Sequence, residues 1–138
     1  MKKLLTATVT LAALAAPAFA EGDAAKGESE FKKCKACHTI TADDGTVIYK
    51  GGKTGPNLYG VIGRTAGTAD GFKYGDGLKD AAAAEFVWTE EALAAYVVDP
   101  KVWLGEQGYA AKSKMSYKLK KGGEDVAAYL ASVAPAAE

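Results

Sequence analysis

The sequence predicts an all-α domain with few helices and long irregular loops, and three observations predict it. Helical patterns stand at both ends, clearest where Val126, Tyr129, Leu130 and Val133 fall at i, i+3, i+4 and i+7. Glycine-rich stretches fill the middle, longer than an ordinary small domain tolerates. The third observation is Cys34-Lys35-Ala36-Cys37-His38, the Cys-x-x-Cys-His pattern of covalent c-type haem attachment. Long loops make sense when they wrap a large flat group that supplies much of the core.

The elements follow in order. Lys2 and Lys3, an apolar run from Leu4 to Ala16, and Ala18-Phe19-Ala20 read as a secretory signal over residues 1–20, leaving one domain over residues 21–138. The apolar run is short for a membrane span, and no second stretch is long enough, so the mature protein is expected not to span a membrane. Asp23 is a good N-cap for a first helix that runs to the Cys motif. From Ala42 to Gly60 the signals are turns, with Thr46 to Tyr49 as a short strand or extended loop. Gly60 to Gly77 is turn-rich again, and a short helix over Leu78 to Ala84 follows. Thr89 caps the next helix, with Glu90 and Glu91 at the positive end of its dipole. Pro100 ends it, and Asp99 before the proline leaves the helical region. The last helix covers Gly123 to Val133, and the tail from Pro135 frays.

Each part of the motif has a chemical task. On a helical turn Cys34 and Cys37 share one face, so both thiols reach one porphyrin edge and form two thioethers. His38 lies four from Cys34 and points its imidazole at the iron as an axial ligand. A thioredoxin-like dithiol, half a zinc site and chance are the competing readings. Zinc wants four ligands, and the chain has two cysteines and one histidine in all. The βαβ surroundings of a thioredoxin-like site are missing.

The second axial ligand follows by elimination. His38 is the only histidine, and the cysteines are used in thioethers. Met1 leaves with the signal, so Met115 remains, in a polar stretch without a helical apolar pattern. An open sixth position, or a lysine from Lys112 or Lys114, are the alternatives. Ligation by His and Met raises the potential and blocks small ligands, so the expected chemistry is outer-sphere transfer of one electron.

Taken together, these segments resemble the class I c-type cytochromes, and within them the soluble cytochrome c2 group of purple and denitrifying bacteria. The likeness covers the mature chain. It is carried by Gly27 with Phe31, Cys34 to His38, Thr54-Gly55-Pro56-Asn57-Leu58, Gly63-Arg64-Thr65-Ala66-Gly67, Trp88, Tyr96 with Asp99-Pro100, Lys114-Met115, and Tyr129-Leu130. The resemblance implies the class I cytochrome c fold around one covalent haem c per chain. It implies that Gly27 and Phe31 pack against Tyr129 where the terminal helices cross. It implies that the Pro56 carbonyl accepts from His38, and that Arg64, Tyr74 and Trp88 donate to a buried propionate. Tyr96 would lie near the Met115 sulfur. Two stretches depart from the shorter mitochondrial relatives, Thr41 to Lys53 and Lys101 to Lys114. The family's polar residue after Tyr74 has no clear match among Gly75, Gly77 and Leu78.

The precursor has 17 basic and 17 acidic side chains, and loss of Lys2 and Lys3 leaves a formal −2. That balance argues against nucleic-acid binding. Lysines cluster near both ligands: Lys32, Lys33 and Lys35, then Lys50 and Lys53, then Lys112, Lys114, Lys118, Lys120 and Lys121. They are expected to ring the haem edge and dock an acidic partner face. The leading function is a periplasmic electron shuttle, expected to be a monomer and not an enzyme. It would run from a membrane cytochrome bc1-type donor to a reaction centre, terminal oxidase or periplasmic reductase. An open-site haem enzyme or gas sensor, and a haem-free thiol–disulfide protein, are the other classes.

Overall fold

A computed structural model describes residues 21–134. The secretory-signal reading over residues 1–20 and the fraying tail from Pro135 lie outside the described residues.

The chain enters at Asp23, whose extended backbone and Oδ1 cap α1 (Ala24–Glu30) by accepting from the Ala25 and Lys26 amides. A 3₁₀ turn, Phe31–Lys33, carries α1 into the Cys motif. The only strands among the described residues are β1 (Ile40–Thr41) and β2 (Val47–Tyr49), an antiparallel pair with a bulge. The Asp43-Asp44-Gly45 signal is their turn: Asp44 accepts from the Thr46 amide at 2.9 Å, and Gly45 has φ 87°. After a long irregular path come α2 (Asp76–Ala83), α3 (Glu90–Val98), α4 (Pro100–Glu106) and α5 (Gly123–Val133). No helix among the described residues is long and apolar enough to cross a membrane.

The terminal helices α1 and α5 cross in close contact, and α3 packs on α5. Gly27 permits the crossing. A Cβ there would lie 2.7 Å from the Tyr129 Cβ and closer still to the Asp125 carbonyl. Phe31, fully buried, reaches Tyr129 at 5.9 Å between ring centroids and Tyr49 at 4.8 Å. Val126, Tyr129 and Leu130 of the α5 stripe are buried, as their spacing predicts.

One helix was not anticipated. Pro100 ends α3 as expected, with Asp99 extended at φ −156° and ψ 96°, but it also starts α4. Asp99 is the N-cap and Pro100 the first helical residue, a pairing that suits a helix start as well as a helix stop. The stretch from Lys101 to Lys114 is therefore helix for its first half. It brings Trp103 and Leu104 into the core.

Glu85 is the one non-glycine residue with positive φ among the described residues, at 55°. The left-handed region is unfavourable to a side chain with a Cβ. Glu85→Gly is expected to stabilise the folded protein by about 0.5–1 kcal/mol, after the greater freedom of glycine in the unfolded chain is subtracted. A guanidinium unfolding midpoint checks this.

Candidate haem site

A strap is laid over the Cys motif and reaches the His38 ring. Gly52 donates its amide to the Lys35 carbonyl at 2.8 Å, and Gly55 donates to the Cys37 carbonyl at 2.7 Å. These bonds bring Gly55-Pro56 against the His38 ring. A Cβ on Gly55 would stand 2.7 Å from Nδ1 and 2.9 Å from Nε2, so only glycine allows the approach. His38 Nδ1 meets the Pro56 carbonyl at 2.8 Å. A carbonyl can only accept, so Nδ1 carries the proton and Nε2 keeps its lone pair. Burial pushes the imidazole below its usual range, opposed by the Pro56 bond, and so favours the neutral form that binds a metal.

Cys34 is half-buried and Cys37 exposed, both as free thiols. Burial, then Glu30, push the Cys34 thiol up to about 11. A redox dithiol needs a thiol that ionises readily, and Cys34 is shifted the other way. Among the described residues no cluster of His, Cys, Asp and Glu could hold a metal ion on its own, so a zinc site has no support.

Arg64, Tyr74, Trp88 and Tyr96 lie near one another. Trp88 and Tyr96 are buried, with ring centroids 5.1 Å apart. The Trp88 amide donates to the Arg64 carbonyl at 3.0 Å. Arg64 donates through one guanidinium nitrogen to the Asn57 and Tyr59 carbonyls at 3.2 and 3.3 Å. Burial lowers its pKa, and neighbouring Tyr74 raises it. Tyr74 is buried, and its hydroxyl oxygen accepts from the Ala69 amide at 3.1 Å, which leaves its O–H free to donate. Burial, opposed by a Ser113 hydrogen bond, raises the Tyr96 pKa, and Tyr74 adds to the rise. Tyr96 therefore presents a protonated hydroxyl at neutral pH. Met115 is half-buried and packs against the same core.

Ser113 is the residue that sequence reasoning missed. Its hydroxyl lies 3.0 Å from the Tyr96 hydroxyl and accepts from the Met115 amide at 3.1 Å. It supplies a polar group on the Met115 side, where Gly75, Gly77 and Leu78 offer no polar side chain. The signal was a serine two residues before the methionine. Tyr74 and Ser113, with Lys73, Lys79, Lys112 and Lys114, line an open hollow of about 620 Å³. Trp103 of α4 was also missed in this role. Its ring centroid lies 5.3 Å from that of Trp88, tilted by 30°, and 5.6 Å from that of Tyr96, edge-on at 88°.

The donor set fits a c-type haem: two free thiols one turn apart, a neutral imidazole with an available Nε2, and tyrosine hydroxyls near a cationic arginine. A helix-and-loop domain with this arrangement defines the class of haem c proteins. The comparisons agree. The chain is 63% identical over 132 residues to cytochrome c2 of Rhodobacter capsulatus, covering 94% of this chain and 96% of that protein. It is 56% identical to cytochrome c-550 of Paracoccus versutus, covering 98% and 91%. The solved structure of the Rhodobacter capsulatus cytochrome c2 superposes with a TM-score of 0.79, over 81% of this chain and 98% of that one. No family model matches. The chain belongs to the class I c-type cytochromes, in the cytochrome c2 group, and it carries haem c covalently.

Proposed function

We propose that this protein is a periplasmic one-electron shuttle, made with residues 1–20 as a removed signal and residues 21–138 as the working domain. Cys34 and Cys37 form the thioethers, and His38 and Met115 are the axial ligands. The observation that carries this reading is the His38 ring, held by Gly55 and Pro56 with Nε2 unprotonated next to two free thiols. When bound, haem c supplies a one-electron iron couple.

The chain's own residues do the rest. Pro56 orients the imidazole and raises its basicity. Arg64, Tyr74 and Trp88 donate to a propionate whose charge is otherwise costly to bury. Tyr96, tied to Ser113, sets the polarity next to the methionine. Met115 closes the sixth position, which makes the protein a carrier and not an enzyme.

The ten lysines named from the sequence are all exposed. Among them Lys33, Lys112 and Lys118 also pair with Glu30, Asp76 and Asp99. Their exposure supports docking to an acidic partner surface, with a membrane bc1-type complex as donor and a reaction centre, oxidase or periplasmic reductase as acceptor.

The test is the visible spectrum of matured protein in both redox states, before and after carbon monoxide. Sharp low-spin ferrous bands unchanged by carbon monoxide, with a weak far-red ferric band from sulfur–iron bonding, are expected. A high-spin spectrum, or one shifted by carbon monoxide, overturns the closed site and makes the protein an open-site haem enzyme or sensor.

A further inference from the structure

Residues 107–122, between α4 and α5, carry Met115 without any helix or strand to fix it. Upstream of Met115 the segment is anchored several times. The Tyr109 amide donates to the Leu104 carbonyl at 2.9 Å, and the Ala110 amide to Asp80 at 2.9 Å. The Gly77 amide donates to the Lys112 carbonyl at 3.1 Å, and Ser113 holds Tyr96.

Downstream the anchors are fewer, and they converge on one place. The Leu119 amide donates to the Val97 carbonyl at 2.7 Å, satisfying one of the free carbonyls at the end of α3. The Leu119 side chain is 3% exposed. Lys118 Nζ meets Asp99 Oδ2 at 2.7 Å. Ser116, Tyr117, Lys120 and Lys121 are exposed.

Asp99 splits its carboxylate between two tasks. Oδ1 accepts from the Val102 amide at 3.3 Å and caps α4, while Oδ2 takes Lys118. The pair joins positions far apart in sequence, with side-chain exposures of 46% for Lys118 and 20% for Asp99. The other pair that ties the Met115 segment to a distant element, Lys112 with Asp76, is longer at 3.6 Å and more exposed at 75% and 57%.

We infer that Asp99 is a positioning residue for the sixth ligand: through Lys118 it latches residues 115–119 to the end of α3 and sets how readily Met115 leaves the iron. The inference rests on the reading of Met115 as the axial ligand. An outside ligand can take the sixth position only in the fraction of molecules whose loop has opened, so its apparent affinity reports that fraction.

The experiment titrates the ferric holoprotein with imidazole and follows the far-red band. Asp99→Asn keeps the side-chain volume and the cap, because asparagine caps as well as aspartate, and removes the charge. It is expected to tighten imidazole binding about fivefold, the upper range for a partly exposed pair. Lys118→Gln should do the same, and the double variant should add nothing further. Asp23→Ala removes the α1 cap and should lower the unfolding midpoint without changing imidazole affinity.

A wild-type far-red band with unchanged affinity in both single variants overturns the latch alone. Equal tightening by Asp23→Ala overturns it too, since the effect would then be global loosening. A wild-type protein without the far-red band overturns the Met115 reading, and the latch with it.

Discussion

Met115→Ala is expected to open the iron: the ferric far-red band disappears, carbon monoxide binds the ferrous protein, and the reduction potential falls by on the order of 0.1 V or more. The thioether is soft and neutral and stabilises ferrous iron, so removing it favours the ferric state. Ser113 and Tyr96 remain in place in this variant, because their mutual contact at 3.0 Å does not involve the methionine side chain. Folding is expected to survive, since Met115 is only half-buried. Spectra and a redox titration on one preparation decide the matter. A variant that keeps a low-spin spectrum without the far-red band would instead indicate that Lys112 or Lys114 has taken the position.

Gly27→Val is expected to be the most damaging substitution for stability. The first side-chain atom already collides with the Tyr129 Cβ at 2.7 Å and with the backbone carbonyl of Asp125. Neither is the far end of a flexible side chain. The α1–α5 crossing must open, and Phe31, fully buried beneath it, loses its packing on Tyr129. The cost is about 3 kcal/mol or more. A guanidinium unfolding curve of the holoprotein measures it, and a loss below about 1 kcal/mol would show that the crossing adapts.

Much of the fold was legible because its signals are local. Asp23, Thr89 and the α5 stripe mark helices through nearest-turn chemistry, and each mark agrees with the observed element. The Asp-Gly turn of the hairpin is equally local. Helix α4 escaped because Asp99-Pro100 has two meanings. A proline that forbids one helix from continuing also suits the first position of the next, and only the packing of Trp103 and Leu104 selects the second meaning.

The site divides in the same way. Cys34, Cys37 and His38 are legible as a motif, because thioether attachment and axial ligation demand a fixed local spacing. The proposal of Met115 as second axial ligand follows from counting residue types. Arg64, Tyr74, Trp88 and Tyr96 came only through family resemblance, since each alone reads as an ordinary arginine or core aromatic. The structure gives them neighbours: Arg64 against the Asn57 carbonyl, Tyr74 against Ala69, Tyr96 against Ser113.

The sequence by itself determined the cofactor and every helix but α4, because these depend on residue type and on spacings within a turn or two. Tertiary structure alone decided the placement of Ser113 beside Tyr96 and the anchorage of the Met115 segment on Asp99. Those depend on contacts between residues from 15 to 20 positions apart or brought together by packing, and no local pattern encodes where a long loop comes to rest.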